Sequence, residues 1–198
     1  MAVTWLHISD FHTRAGDPYD RDVVLRALVE SIRHYAENGR APDLIFATGD
    51  IAHSGKAAEY EIATAFFDQL LDAAHLNKNR LFVIPGNHDV DRDFGIGLAR
   101  TLDSREQADA YFHPDRPKPH LTLKLRAWLD WHSSYFGADR AAPAASTCGP
   151  VEAVEAGGLR LGILPMNSAL FCQGDDDHRM HTIGWTARPG CSCTAPCS

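Results

Sequence analysis

The chain has no apolar run approaching the roughly 20 residues that cross a bilayer, and Met1 to Ser9 has neither the basic start nor the apolar stretch of a secretory leader. These two absences set the expectation of a cytoplasmic protein with no membrane partner. Basic charge is also short: 19 Lys and Arg stand against 26 Asp and Glu, a formal net charge of −7. Such a balance gives no long-range field for capturing nucleic acid, so any phosphate is expected to meet a metal or a local cluster. Cysteine is scarce and lopsided. Of five, Cys191, Cys193 and Cys197 fall in the last eight residues, with only Cys148 and Cys172 before them. The odd total argues against a disulfide framework and for a reduced body, and three thiols lacking a fourth ligand at a standard spacing make a poor structural zinc site.

What is present is ordinary for a packed domain: 198 residues, 44% hydrophobic and 23% charged. Val3 to Ser9 is a short apolar run ending at Asp10 and followed by Gly16-Asp17-Pro18, which predicts a buried strand. From Arg21, residues Val24, Leu28, Ile32 and Tyr35 recur at helical spacing, with Asp20 as N-cap and Asn38-Gly39 as stop. Leu44 to Ala47, between Pro42 and Gly49, predicts a second strand that delivers Asp50. Tyr60, Ala63, Phe67, Leu70 and Ala74 mark one face of a second helix, and Leu81 to Ile84 makes a third strand ending in Pro85-Gly86. The resulting βαβαβ order implies an α/β fold with parallel strands, whose ligand crevice lies outside the strands' carboxyl ends.

Beyond Asp89 the pattern loosens. Residues from about 90 to 145 read as an insert or cap flanking the crevice, with an amphipathic helix marked by Leu121, Leu125, Trp128, Leu129 and Trp131. Val151 to Ala156 and Leu159 to Leu164, joined by Gly157-Gly158, predict a hairpin.

Three polar clusters stand at the three strand ends. Asp10-Phe11-His12 sets a carboxylate and an imidazole two residues apart, on one side of an extended chain. Gly49-Asp50, with Gly55 five residues on, adds a second carboxylate beside glycines that permit close backbone approach. The segment misses a P-loop, because Ser54 and Ala57 occupy the positions of its second Gly and its Ser or Thr. Gly86-Asn87-His88-Asp89 joins an amide oxygen suited to a metal, an imidazole suited to proton transfer, and a carboxylate suited to orienting that imidazole. Each cluster alone has a plain reading as a capped turn or solvated loop. Their ordered coincidence at successive strand ends does not.

The three motifs, Asp-x-His, Gly-Asp-x-x-x-x-Gly and Gly-Asn-His-Asp, resemble those that open the calcineurin-like metallophosphoesterases, and the resemblance runs well over residues 3 to 90. It implies the βαβαβ start of a four-layer α/β/β/α sandwich, incomplete at the C-terminus, with Asn167-Ser168-Ala169 looking like the strand that opens the second sheet. It further implies two divalent metal ions, manganese, iron or zinc. Asp10 and His12 would hold the first, Asp50 would bridge both and Asn87 would hold the second. His88 would be catalytic, stabilising the transition state or protonating the leaving oxygen, with Asp89 holding it in place. The implied activity is a phosphomonoesterase or phosphodiesterase on a small phosphoester or nucleotide, with a metal-bound hydroxide as nucleophile.

The family's remaining ligands, histidines from a second half with a terminal Gly-His-x-His, have no counterpart here, and His178 with His181 has the wrong spacing. The phosphoesterase domain is therefore expected over residues 1 to 178, and residues 179 to 198 as an irregular Cys-rich tail from a shifted reading frame. A half-built sandwich of that kind is expected to dissolve poorly or to need a partner. Two functions stay open at this point: the metal-dependent hydrolase, and a non-catalytic phosphate- or nucleotide-binding protein that keeps the fold without a complete metal site. Among the other histidines, His7 reads as a core residue and His34, His53, His75, His113, His120 and His132 as solvent-facing, with His53 the nearest to a substrate.

Overall fold

Three short apolar runs form parallel strands in the computed structural model: β1 (Trp5–Ile8), β2 (Leu44–Thr48) and β3 (Leu81–Ile84), side by side in that order. The structure describes residues 2–14, 19–94, 104–112, 123–141, 151–169 and 172. Register runs Ile8 to Ala47 across the first pair and Ala47 to Val83 across the second, so the three strand ends open onto one edge of the sheet. Parallel neighbours need long crossovers, supplied by helix α1 (Tyr19–Glu37) and helix α2 (Ala57–Ala73). Helix α1 starts earlier than its sequence pattern implies, which puts Asp20 inside the first turn. It ends where Gly39 takes a φ of +72° and the Arg40 N–H returns to the Tyr35 carbonyl. At the start of α2 the Glu59 carboxylate accepts from the Lys56 and Ser54 N–H groups.

Strand alternation sorts the sheet into two faces. Ile45, Ala47, Leu81 and Val83 pack into the main core with Val29 and Ile32 of α1 and Tyr60, Phe67 and Leu70 of α2. Leu44 and Phe82, with Phe46, face the other way against Ala156, Val154 and Leu161. Those last residues belong to the hairpin β4 (Glu152–Ala156) and β5 (Leu159–Ile163), antiparallel and close to its predicted bounds. The order of layers is helices, parallel sheet, then hairpin, the start of an α/β/β/α arrangement. Residues 164–169 carry no strand; Asn167 is buried and its Oδ1 accepts the Ala169 N–H in a tight turn. A short helix, α3 (Arg105–Phe112), lies within the inserted segment.

Two histidine expectations fail. His7 is exposed rather than core, its Nε2 paired with the Thr48 hydroxyl across the edge of the sheet. His132 is buried rather than solvent-facing. It lies on helix α4 (Arg126–Phe136), with its ring between Trp128 and Phe136. This helix is the amphipathic one read from the sequence, and it does not cap the crevice. Trp131 stacks on Tyr60 and donates to Thr64, and Tyr135 donates to Asp68, so α4 is fixed against the flank of α2. Among the described residues no helix is long and apolar enough to cross a membrane. The histidines at 113, 120, 178 and 181, and the tail from 179, lie outside the described residues.

Candidate metal centre

The site is assembled by backbone pairing that outlasts the strands. Past the end of β1, Asp10 N–H donates to the Gly49 carbonyl, His12 N–H to Asp50 at 2.8 Å and Thr13 N–H to Ile51 at 2.8 Å, while His53 N–H returns to Thr13. The first two loops thus run as an irregular parallel ladder that sets Asp10 and His12 beside Asp50. To aim their side chains, Asp10, His12 and Asp50 adopt left-handed φ values of 62°, 46° and 53°. Outside glycine such values are uncommon, and here three of them cluster at one site.

The third loop comes in through Gly86. A Cβ there would lie 2.2 Å from Asp50 Oδ1 and 2.4 Å from the Asp50 nitrogen, so only glycine lets the chain pass this close. The His88 N–H then donates to Asp50 Oδ1 at 2.9 Å. One terminal atom of the Asn87 amide stands 3.2 Å from Asp50 Oδ1 and 3.3 Å from Oδ2. With nitrogen there, the amide donates to the carboxylate. With oxygen there, both groups turn lone pairs toward one place, an arrangement that a cation relieves.

Ligand atoms of Asp10, His12 and Asp50 all fall within 4.8 Å of one another, and so do those of His12, His53 and His88. Carboxylate, imidazole and amide donors in this mixture fit manganese, iron or zinc better than a thiol-seeking ion. The His12 and His88 rings meet edge to face with centroids 4.3 Å apart. His88 Nδ1 lies 2.9 Å from the His53 carbonyl; as donor in that bond it leaves Nε2 facing away from the backbone.

Asp89 has a different task from the one expected. Its carboxylate, wholly buried, accepts from Gly86 N–H at 2.8 Å, Ala52 N–H at 2.9 Å, Ile51 N–H at 3.2 Å and the Tyr60 hydroxyl at 3.0 Å. It clamps the second loop to the third, and the His88 ring is seated on the His53 carbonyl instead. Burial pushes the Asp89 carboxyl up to about 6, against the pull of its N–H donors. The same loops are tied on the outside by Lys56, whose ammonium bridges Asp91 at 2.7 Å and Asp93 at 2.6 Å.

His53 is the residue that sequence reasoning undervalued. Its ring lies 5.5 Å from that of His88 and 6.1 Å from that of His12. Burial, then the nearby Arg14 charge and His88, lower its pKa. Arg14 and Arg92 were likewise not singled out, yet both reach this cluster. Arg14 donates to His53 Nε2, and an Arg92 nitrogen lies 3.5 Å from both ring nitrogens of His88. The available signal was position: Arg14 follows His12 by two, His53 follows Asp50 by three, and Arg92 follows His88 by four.

The family model for calcineurin-like phosphoesterases matches residues 3–151. A 102-residue stretch, 52% of the chain, is 32% identical to an uncharacterized metallophosphoesterase-like protein, YydB, of Bacillus subtilis (strain 168), and spans 20% of that protein's length.

Proposed function

Since the chain belongs to the calcineurin-like phosphoesterase family, we propose that it hydrolyses small phosphoric esters at a two-metal centre formed by Asp10, His12, Asp50 and Asn87. The observation that carries this reading is the convergence of Asp10, His12 and Asp50 within 4.8 Å, at the carboxyl ends of adjacent parallel strands, with Asn87 against Asp50. Asp10 and His12 would hold one ion and Asn87 the other, with Asp50 a ligand they would share. The ions, when bound, supply Lewis acidity toward the phosphoryl oxygens and a water of lowered pKa. The protein's part is to hold these donors on a rigid ladder and to offer a proton. His88, braced at Nδ1 by the His53 carbonyl, presents Nε2 to the leaving oxygen. Asp89 fixes the spacing between the loops.

The test joins metal content of the purified chain with hydrolysis of a chromogenic phosphomonoester and a phosphodiester in added manganese. Two bound ions and turnover abolished by Asp50→Asn are expected, because loss of the shared ligand releases both metals. His88→Ala is expected to keep the metals and to lower turnover by roughly 10²–10⁴-fold. A chain that binds phosphate but retains no metal and turns over neither ester refutes the hydrolase and returns the non-catalytic binding protein.

A further inference from the structure

We propose that His12, His53 and His88 form a three-imidazole zinc site that overlaps the two-metal centre, so that zinc bound there switches the centre off. The switch rests on the hydrolase reading above; the zinc site stands on geometry of its own.

Each of the three loops contributes one imidazole, His12 past β1, His53 past β2 and His88 past β3. All three rings are half-buried, and a nitrogen from each lies within 4.8 Å of the other two. Three nitrogen ligands around a tetrahedral zinc stand about 3.4 Å apart, so ring movements of about an ångström close the site. His88 already has the brace of a metal-ligating imidazole, because its Nδ1 meets a backbone carbonyl, that of His53, at 2.9 Å. His53 carries a second sign. Among the described residues its buried Nδ1 has no hydrogen-bond partner, while Nε2 accepts from the exposed Arg14. A buried ring nitrogen left without a partner is costly, and an ion at Nδ1 removes that cost. The neutral ring has a single lone pair, so the ion and Arg14 compete for it, and the guanidinium turns to solvent when the ion binds. The Arg92 nitrogen 3.5 Å from the His88 ring is a weak contact that the ion displaces.

The donor sets separate the metals. Asp10, Asp50 and Asn87 bring oxygen to the two-metal centre, which suits manganese, whereas three imidazoles suit zinc, the stronger binder of nitrogen ligands. His12 belongs to both sets, so the two sites cannot be filled together. Zinc also takes His88, the proposed proton donor, and a nitrogen bound to zinc carries no proton for the leaving oxygen.

The experiment maps carbethoxylation of histidines in the full chain by mass spectrometry, with and without zinc. Zinc affinity is measured alongside by calorimetry in Asp50→Asn, alone and combined with His53→Gln or His34→Gln. Asp50→Asn removes the shared ligand of the two-metal centre and leaves all three imidazoles. Zinc is expected to protect His12, His53 and His88 together and to leave the exposed His34 reactive. Losing an outer partner of a metal ligand costs about 10–100-fold in affinity, so His53→Gln is expected to cost at least about 100-fold, and His34→Gln less than about twofold. Protection of His12 without His53 and His88, the pattern of zinc in the two-metal centre, or an affinity indifferent to His53→Gln would overturn the site. The mapping needs no substitution, so it decides the matter if a variant fails to fold. In a chain that turns over ester with manganese, zinc is expected to stop turnover as the three rings become protected, and turnover that continues with all three protected overturns the switch. Protection of all three in a chain that turns over no ester sinks the hydrolase, and the switch with it, and leaves the zinc site standing. Manganese-dependent turnover with His53 unprotected by zinc sinks the zinc site alone.

Discussion

His132 makes the chain's stability depend on pH in a calculable way. It is 2% exposed, ringed by Trp128 at 5.0 Å and Phe136 at 4.6 Å, with the Arg140 guanidinium lying over the same Phe136. Burial first and the Arg140 charge second bring its pKa from the ordinary 6.5 down to about 4. Above pH 6.5 the imidazole is neutral in both folded and unfolded chains and contributes nothing. As pH falls from 6.5 toward 4 the unfolded chain takes up a proton that the folded chain refuses, so stability declines. The full difference corresponds to about 3 kcal/mol, of which about 2 kcal/mol is lost between pH 7 and pH 5. Urea unfolding of the parent and of His132→Gln at both pH values isolates the effect, since the other groups titrate alike in the two proteins. The variant is expected to lose about 2 kcal/mol less than the parent over that interval. Equal losses in the two proteins, within about 0.5 kcal/mol, would refute the argument, because pairing of the folded imidazole with the proton would then be as easy as in water.

Two further substitutions probe the loops. Gly86→Ala drives a methyl into Asp50 and its nitrogen, and is expected to cost about 3 kcal/mol in chemical denaturation together with a loss of metal affinity. Asp89→Ala strips the acceptor from the buried Ile51 and Ala52 N–H groups, the half-buried Gly86 N–H and the Tyr60 hydroxyl. After the gain from no longer burying a carboxylate, a net loss of roughly 3–5 kcal/mol is expected, with Asp89→Asn milder because one oxygen remains. A wild-type melting profile for Asp89→Ala would show that the clamp carries no stability.

The strands and the hairpin were legible because short apolar runs bounded by Gly, Pro and Asp leave few alternatives, and β3 was predicted to the residue. The three motifs pointed to the same edge of the sheet because parallel strands place all their carboxyl ends there. What could not be read was orientation. Asp89 follows His88 directly, so a pairing between them was the natural guess. In the fold, one residue's difference turns the carboxylate inward to Ile51 and Ala52 and the imidazole outward. His132 was hidden by its polarity. It stands four residues from both Trp128 and Phe136, on the apolar seam of α4, and that spacing was the better guide. His53 fills a variable position of the Gly49 to Gly55 motif and Arg14 and Arg92 stand outside the motifs, and only the ladder between the first two loops and the return of the third bring them together.

The left-handed backbone at Asp10, His12 and Asp50 makes function compete with durability. Each such residue is held at a cost of roughly 1 kcal/mol relative to glycine at the same angles, and two of the three are carboxylates facing one another's surroundings. Random substitution selected only for thermal robustness would therefore be drawn to these positions, with glycine the favoured replacement, and would erase the ligands first. Robust variants of this chain are best sought elsewhere, on the outer faces of α1 and α4, where rigidity can be raised without relaxing the geometry that aims the site.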